Sequence, residues 1–399
     1  MIAWSAAVGA SGRARDAARQ AAARARAALG SGPPVLALSF ASPSYEDVDA
    51  VPSALVDELG PVPIAGGTAA GAVFEDGRVH PRGVLVALLG GDEVDATVTT
   101  TVVESPELVE LVPAGLAIRH AAERAAAEGR DSAMCLVFAP AIRVDGEALV
   151  AAVRKGTGAQ IQLAGALTGD DFTFDRPLVF DAGGARPDQV VLAGVFTASP
   201  VGVATRHGLS PVGPTRAVSR SDGPWLLALD GKPAREIWLA DARAAGFEPP
   251  PAPADLLAAL GGYPLGIDVS SHVEHLIRSP VALRDDGAVL LAASVPERTL
   301  VRVMRAGASE MLDATQWAAR LARDRAGEHC AGALLLTCAN RLQELGHRFV
   351  EESLVAARVL EGPVAGACVF GEIARARREV DAFHNMTSVV AAWPRGRRP

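Results

Sequence analysis

The stretch PVAGACVFGEIARARREVDAFHNMT, Pro363 to Thr387, crowds small residues, a thiol, a carboxylate and an imidazole into one short segment. Gly366 and Gly371 let a backbone or a ligand come close, because glycine has no Cβ and takes positive φ freely. Glu372 offers a carboxylate beside them, and His384-Asn385 stands at the entry of the last apolar run. Upstream, in LLLTCANRLQELGHR, Cys338 ends an apolar run just before a helical pattern, with Arg341 three residues on. A helix start and a nearby cation both favour thiolate, so Cys338 is the candidate nucleophile or redox thiol of an enzyme, with His384 as its base. The competing readings are plain. A free Cys packs as a small buried hydrophobe, and a lone His is more often a hydrogen-bonded structural residue.

Several familiar site signatures are excluded. In GGTAAGAV, Gly66 and Gly71 are spaced like the ends of a P-loop, but Ala72-Val73 stand where Lys and Ser/Thr would hold phosphate and magnesium. The same segment misses the G-x-G-x-x-G spacing, and neither HExxH nor G-x-S-x-G occurs. The nearest metal-like pair is His272 and His275 around Glu274, with no evident third ligand, so no metal is expected. Four Cys without a CxxC pair exclude a disulfide scaffold and a four-Cys zinc site, and they suit a reducing cytoplasm.

These residues need elements to hold them, and the chain writes one pattern three times. VLALSF (35–40), AMCLVFAP (133–140) and GALLLTCAN (332–340) each read as a buried strand. A helix-like stretch follows each, the third running through Leu342, Leu345, Phe349, Val350 and Leu354. A second short strand then ends in a small-residue turn: PIAGGTAAGAVF, QLAGALTGDDFTF and PVAGACVFGEIA. Phe40 precedes Ala65 by 25 residues, Phe138 precedes Ala164 by 26, and Cys338 precedes Ala365 by 27. Such recurrence predicts β–α–β units with parallel crossovers. The glycines at the turns, Gly66, Gly67, Gly165 and Gly366, serve either close packing or close approach of a ligand. Polar residues just beyond them, Thr68, Thr168, Asp170 and Glu372, join the candidate ligand set, since ligands of α/β sheets collect at strand carboxyl ends.

Between the units, 191–208 alternates like antiparallel strands, and 221–242 reads as strand, Asp-Gly turn, then strand or helix. The segment 288–307 reads as two strands around a Pro turn. The Pro/Gly/Ser-rich stretch 209–223 is the best domain boundary, dividing the chain into 1–215 and 222–399. The expected class is α/β (mixed α+β): two domains with repeated β–α–β units and mixed sheets, pseudo-symmetric if the units share one arrangement.

The 399 residues are 49% hydrophobic and 21% charged with a formal net charge of −8, a globular composition without the basic footprint of a nucleic-acid binder. The Ala/Arg-rich start predicts a surface helix over about 12–29 rather than a leader. No uncharged apolar run approaches the ~20 residues that span a bilayer, so no membrane association and a cytoplasmic location are expected.

The segments LLLTCANR, VAGACVFGEI and FHNMTSVV, with WLLALDGKPAREIW, YPLGI and HLIRSPVALRDDGAVLLAASVPE upstream, resemble the FIST C domain. VLALSF, PIAGGTAAGAVF, LAGALTGDDF and VVLAGVF are similar to FIST N, so the likeness covers roughly 35–390. It departs at the first turn, where Gly67-Thr68 and Gly71-Ala72 replace a more polar start and a Gly-Glu end. The resemblance implies a sensory module for small molecules, with amino-acid-like ligands. Because the chain ends soon after the FIST C segment, a stand-alone copy would signal through a separate protein partner. On that reading Arg341 takes a ligand carboxylate while Glu372 and Asp170 take its ammonium. No cofactor is predicted. The alternative it carries is a haem-binding nitric-oxide sensor, with His384, His347 or Cys338 as axial ligand; an enzyme using Cys338 is a third.

Overall fold

The computed structural model describes residues 1–30, 32–141, 143–250, 256–268, 275–327, 329–375 and 381–395. Three units repeat one order of elements. The first runs through strand Ile2–Gly9, helix Ala14–Leu29, strand Pro34–Ala41, helix Val51–Leu59, strand Ile64–Thr68, a hairpin of Val73–Glu75 and Arg78–His80, and strand Val84–Gly91. The second repeats this from Val94–Val102 to Gln189–Thr197, and the third from Gly202–Arg206 to Ser388–Pro394. In each, the two central strands pair in parallel: Pro34–Ala41 with Ile64–Thr68, Ser132–Pro140 with Gln162–Thr168, Cys330–Cys338 with Val364–Val369. The short apolar runs make these strands, and the helix between them supplies the crossover that a parallel pair requires.

The three six-stranded sheets share one strand order, and each is completed by another unit's hairpin. Val179–Asp181 of the second unit pairs with Ile64–Thr68 of the first. Glu372–Arg375 of the third pairs with Gln162–Thr168 of the second, and Val73–Glu75 of the first with Val364–Val369 of the third. Where the units meet, three backbone hydrogen bonds close a ring: Ala70 N to Cys368 O at 2.8 Å, Phe370 N to Leu167 O at 3.1 Å, and Gly169 N to Thr68 O at 3.1 Å. Strand pairing therefore crosses between the two halves of the chain at several places.

Alternation along the strands divides the core. Leu38 and Phe40, Leu136 and Phe138, and Leu334 and Leu336 face one central cluster, where the Phe40 and Phe138 rings meet edge-on at 5.5 Å. The opposite faces pack under the helices. Helix Ala14–Leu29 buries only alanines, and these let it lie so close that a Cβ on Gly9 would sit 2.0 Å from Ala17 O.

Gly66, Gly165 and Gly366 lie within these strands rather than at turns, opposite Ser39, Val137 and Leu335. A Cβ at each would come within 1.9, 2.0 and 1.7 Å of the opposing carbonyl oxygen. Close backbone approach, the packing alternative, explains all three.

Other expectations need correction. Segment 191–208 forms strands of two different sheets: Gln189–Thr197 pairs with Val94–Val102 and Ser132–Pro140, whereas Gly202–Arg206 pairs with Ser388–Pro394. All of these pairings are antiparallel, as the sequence pattern implied, but with strands elsewhere in the chain. The 209–223 stretch, read as the domain boundary, contains strand Arg216–Asp222, which pairs with both Trp225–Leu229 and Leu300–Arg305. It opens an insertion in the third unit, Ser210 to Arg305, with a nine-stranded sheet and its own core around Trp238, Phe247 and Tyr263. Asp230-Gly231 makes the expected turn, with φ of 50° and 76°, and helix Ala234–Ala244 follows. The third unit's long helical pattern splits into Ala339–Leu345 and Val350–Leu360 around Gly346, whose φ is 52°. With these adjustments the class stands as α/β, with mixed sheets and repeated β–α–β units.

Candidate functional site

A cavity of about 520 Å³ opens between the second unit, the third unit and the insertion. It lies at strand carboxyl ends: Ser132–Pro140 runs into its wall at Ala141, Gln162–Thr168 contributes Leu167, and Cys330–Cys338 contributes Cys338. The insertion closes the opposite side with Ser279, Val281, Ala282 and Leu290. Phe172, Phe174 and Phe370 form an aromatic wall, with ring centroids 5.2 Å apart for Phe172–Phe370 and 4.9 Å for Phe174–Phe370. The polar lining is Asn340, Asn385, Ser279, Asp145 and Arg143.

The junction that holds the insertion against the two units is polar and well bonded. Asp145 caps helix Gly146–Thr157 through Oδ1, which accepts from Glu147 N and Ala148 N, while its Oδ2 accepts from Ser294 N at 3.0 Å and Ser294 Oγ at 2.7 Å. Arg278, buried, pairs with Glu147 and donates to Phe383 O at 3.1 Å and Ile277 O at 2.9 Å. Asn385 Oδ1 accepts from Ser279 N at 3.3 Å. Ser279 Oγ, in contrast, is buried with no partner. A buried hydroxyl left unpaired is costly, and it belongs to a residue of the cavity wall.

Of the thirteen residues expected to bind ligand, Cys338 and Asn385 line this cavity, and the others do not. Arg341 is fully buried one turn behind Cys338, and its donors are committed: Nε to Glu352 Oε1 at 2.8 Å, Nη1 to His207 O and Met386 O, Nη2 to Met311 O and Thr315 Oγ1. It is a structural ion pair, not a carboxylate clamp. Asp170 is likewise spent within its own loop, accepting from Thr173 Oγ1, Phe174 N, Asp175 N and Arg176 N. Thr68 donates to Gly169 O at 2.6 Å and accepts from Leu178 N at 2.9 Å, and Gly67 abuts Thr168 and Leu178 O. These three join the first unit to the second. Gly371 leaves room for the Phe383 ring, which a Cβ would meet at 2.3 Å.

Glu372 is buried behind the cavity wall, where Oε2 accepts from Thr387 N and Oγ1 at 3.2 and 2.7 Å and Oε1 has no partner. Burial pushes its carboxyl up to about 8, against the opposing pull of the Thr387 bonds and Arg341. Burial also drives His384 down to about 4, its Nε2 lying 3.3 Å from Ala374 O. The Cys338 thiol is raised by burial and then by the Glu372 charge, the reverse of the activation expected from a helix start and Arg341.

Haem does not fit these residues. Of the three proposed axial ligands only Cys338 reaches the cavity; His384 faces Ala374 O, and His347 is exposed on a helical turn. A thiol held protonated by burial is a poor axial donor. Among the described residues no group of three or more His, Cys, Asp or Glu could hold a metal ion, and His272 with Glu274 lies outside them. No helix among the described residues is long and apolar enough to cross a membrane. The four cysteines are all unpaired and buried.

The cavity lining absent from the expected set includes Phe172, Phe174, Phe370, Asn340, Asp145 and Arg143. The signal for two of them was FTF in a polar stretch, two aromatics where a turn needs none.

A three-unit α/β frame with a partly apolar cavity at its strand ends is the form of a small-molecule-binding protein. The FIST N domain matches residues 35–232 and the FIST C domain residues 243–375, and the chain belongs to the FIST family. FIST domains are small-molecule sensory modules, often coupled to signalling partners and typically non-catalytic. No curated protein matches the chain. Among solved structures it is similar to a cyanuric acid hydrolase from A. caulinodans, at 12% identity over 98% of this chain and 100% of that one, with a TM-score of 0.34. It is also similar to a chorismatase, at 8% identity over 98% of each chain, with a TM-score of 0.34.

Proposed function

We propose that the protein is a cytoplasmic sensor for an amino-acid-like metabolite, which binds in the cavity between the second unit, the third unit and the insertion and is signalled onward through a separate protein. The observation that carries this reading is one 520 Å³ space at strand ends that joins an aromatic wall, Phe172, Phe174 and Phe370, to the polar residues Asn340 and Asn385. An apolar body would lie against Phe172, Phe174, Phe370 and Leu167. The polar end would meet the amides of Asn340 and Asn385, with Arg143 among the lining residues for a carboxylate. Arg341 and Asp170 have no part in it. A ligand that bridges the insertion and two units would favour one arrangement of the junction over others, which is how binding becomes a signal.

The test is a thermal-shift screen of amino acids and small metabolites, repeated on Ala282→Trp, whose side chain would occupy the cavity. Hits that lose their shift in Ala282→Trp support the reading. A hit that shifts both proteins equally places its site elsewhere.

A further inference from the structure

The strand-to-hairpin connection of the second unit is longer than its counterparts. Four residues, 69–72, separate strand from hairpin in the first unit and two, 370–371, in the third; ten, 169–178, do so in the second. The extra length makes a loop that lies along the cavity and supplies Phe172 and Phe174 to it. Both residues have left-handed backbones, with φ of 61° and 53°, a strained conformation for bulky side chains. Asp170 holds them there through the four hydrogen bonds to its carboxylate.

The strain places one ring oddly. Phe174 is 38% exposed, yet it lies nearly parallel to Phe370, at 22° and 4.9 Å, on the cavity's aromatic surface. Phe172 meets the same ring at 59° and 5.2 Å. A half-exposed aromatic on a strained loop, stacked flat on a cavity ring, occupies the place where a second flat ring would sit best. The polar residues Asn340 and Asn385 line the same cavity.

We propose that the cavity takes ligands bearing a flat aromatic ring, which seats on Phe370 in the place that the Phe174 ring holds here, the 170–176 loop yielding as a gate. This rests on the reading of the cavity as the ligand site and names the class of ligand. An aromatic ring stacks through its quadrupole and flat face, whereas a puckered aliphatic ring of similar bulk gains only apolar contact. The left-handed backbone at Phe172 and Phe174 is held by the loop's own hydrogen bonds to Asp170, so the loop can yield without disturbing the sheets. The ligand selects the open loop because it competes with Phe174 for one surface.

The experiment is calorimetric titration of the full chain with L-phenylalanine and with L-cyclohexylalanine, which differ in the flatness of the ring. Phenylalanine should bind about threefold to tenfold tighter, the worth of one aromatic pair. Phe174→Ala should tighten phenylalanine by a similar factor, since the competing ring is gone. Phe370→Leu should erase the preference while keeping apolar binding. Cyclohexylalanine binding as tightly as phenylalanine, in a manner still blocked by Ala282→Trp, overturns the aromatic class and leaves the cavity reading intact. Weaker phenylalanine binding by Phe174→Ala overturns the gate, for Phe174 would then be wall. If neither compound binds while other screen hits survive Ala282→Trp, the cavity reading falls with the proposal.

Discussion

Replacing Arg341 by Met should unfold the protein far more readily than it changes any ligand affinity. The guanidinium is completely enclosed and donates to Glu352, Thr315 and the carbonyls of Met311, His207 and Met386. Those partners sit on helix Ala308–Ala326, helix Val350–Leu360, the segment entering the insertion and the segment entering the last strand, so one side chain ties four pieces of the third unit. Met fills much of the volume and removes every donor. Glu352, itself buried, then keeps only the hydroxyls of Thr315, Thr337 and Ser388 to balance its charge. Breaking a buried pair from one side costs about 3–5 kcal/mol, a large part of the ~5–15 kcal/mol that holds a typical protein folded. Urea titration followed by circular dichroism reads this directly as a fall in midpoint. The double variant Arg341→Met/Glu352→Gln should recover part of the loss, because no charge is then stranded. The reasoning is refuted if Arg341→Met costs less than about 1 kcal/mol while ligand binding disappears, for that is the behaviour of a ligand clamp.

Glu372 predicts a pH dependence. The unfolded chain loses this proton near 4.5 and the folded chain near 8, so the stabilisation is complete below 4.5 and fades as pH rises through 8. Glu372→Gln should flatten the decline in melting temperature between pH 5 and 9; an unchanged slope would contradict the burial argument. His207 and His384, driven down to about 3 and about 4 by burial, act in the other direction: stability falls as pH drops below 6.5, where the unfolded chain takes up protons first. Gly165→Ala, whose Cβ would lie 2.0 Å from Val137 O, should leave little folded protein, whereas Gly12→Ala meets nothing within 4 Å and should melt like the parent; soluble yield and circular dichroism decide. A chain cut after residue 215 should fail to give dispersed amide resonances, since Gln162–Thr168 and Gly202–Arg206 lose the strands they pair with; a well-dispersed spectrum would contradict the exchanged hairpins.

The three β–α–β units were legible because each strand is a short apolar run bounded by turn residues. Their register was less so. Phe40 and Phe138 occupy equivalent places opposite Gly67 and Ala166, but the third equivalent is Leu336, opposite Ala367, not Cys338. The split helix around Gly346 adds the residues that made Cys338 look aligned. Hairpin exchange left no trace, because a strand's alternation specifies which face is buried and not which distant edge it joins. Of the residues expected at the site, Cys338 and Asn385 line the cavity, which lies at strand ends where ligands of such sheets collect. Arg341 looked like an anion binder for the same reason. Its true partner, Glu352, stands eleven residues later beyond a break in the helix. Ser279 and Phe370 were hidden, since a cavity-lining side chain and a core side chain have the same composition until topology separates them.

The most direct measurement is a crystal structure of the protein soaked with the strongest hit of the metabolite screen. Ligand density is expected between Phe370, Asn340 and Asn385, with the insertion closed over it. Density at the surface, or at the ring where the three units meet, with the cavity empty, would contradict it.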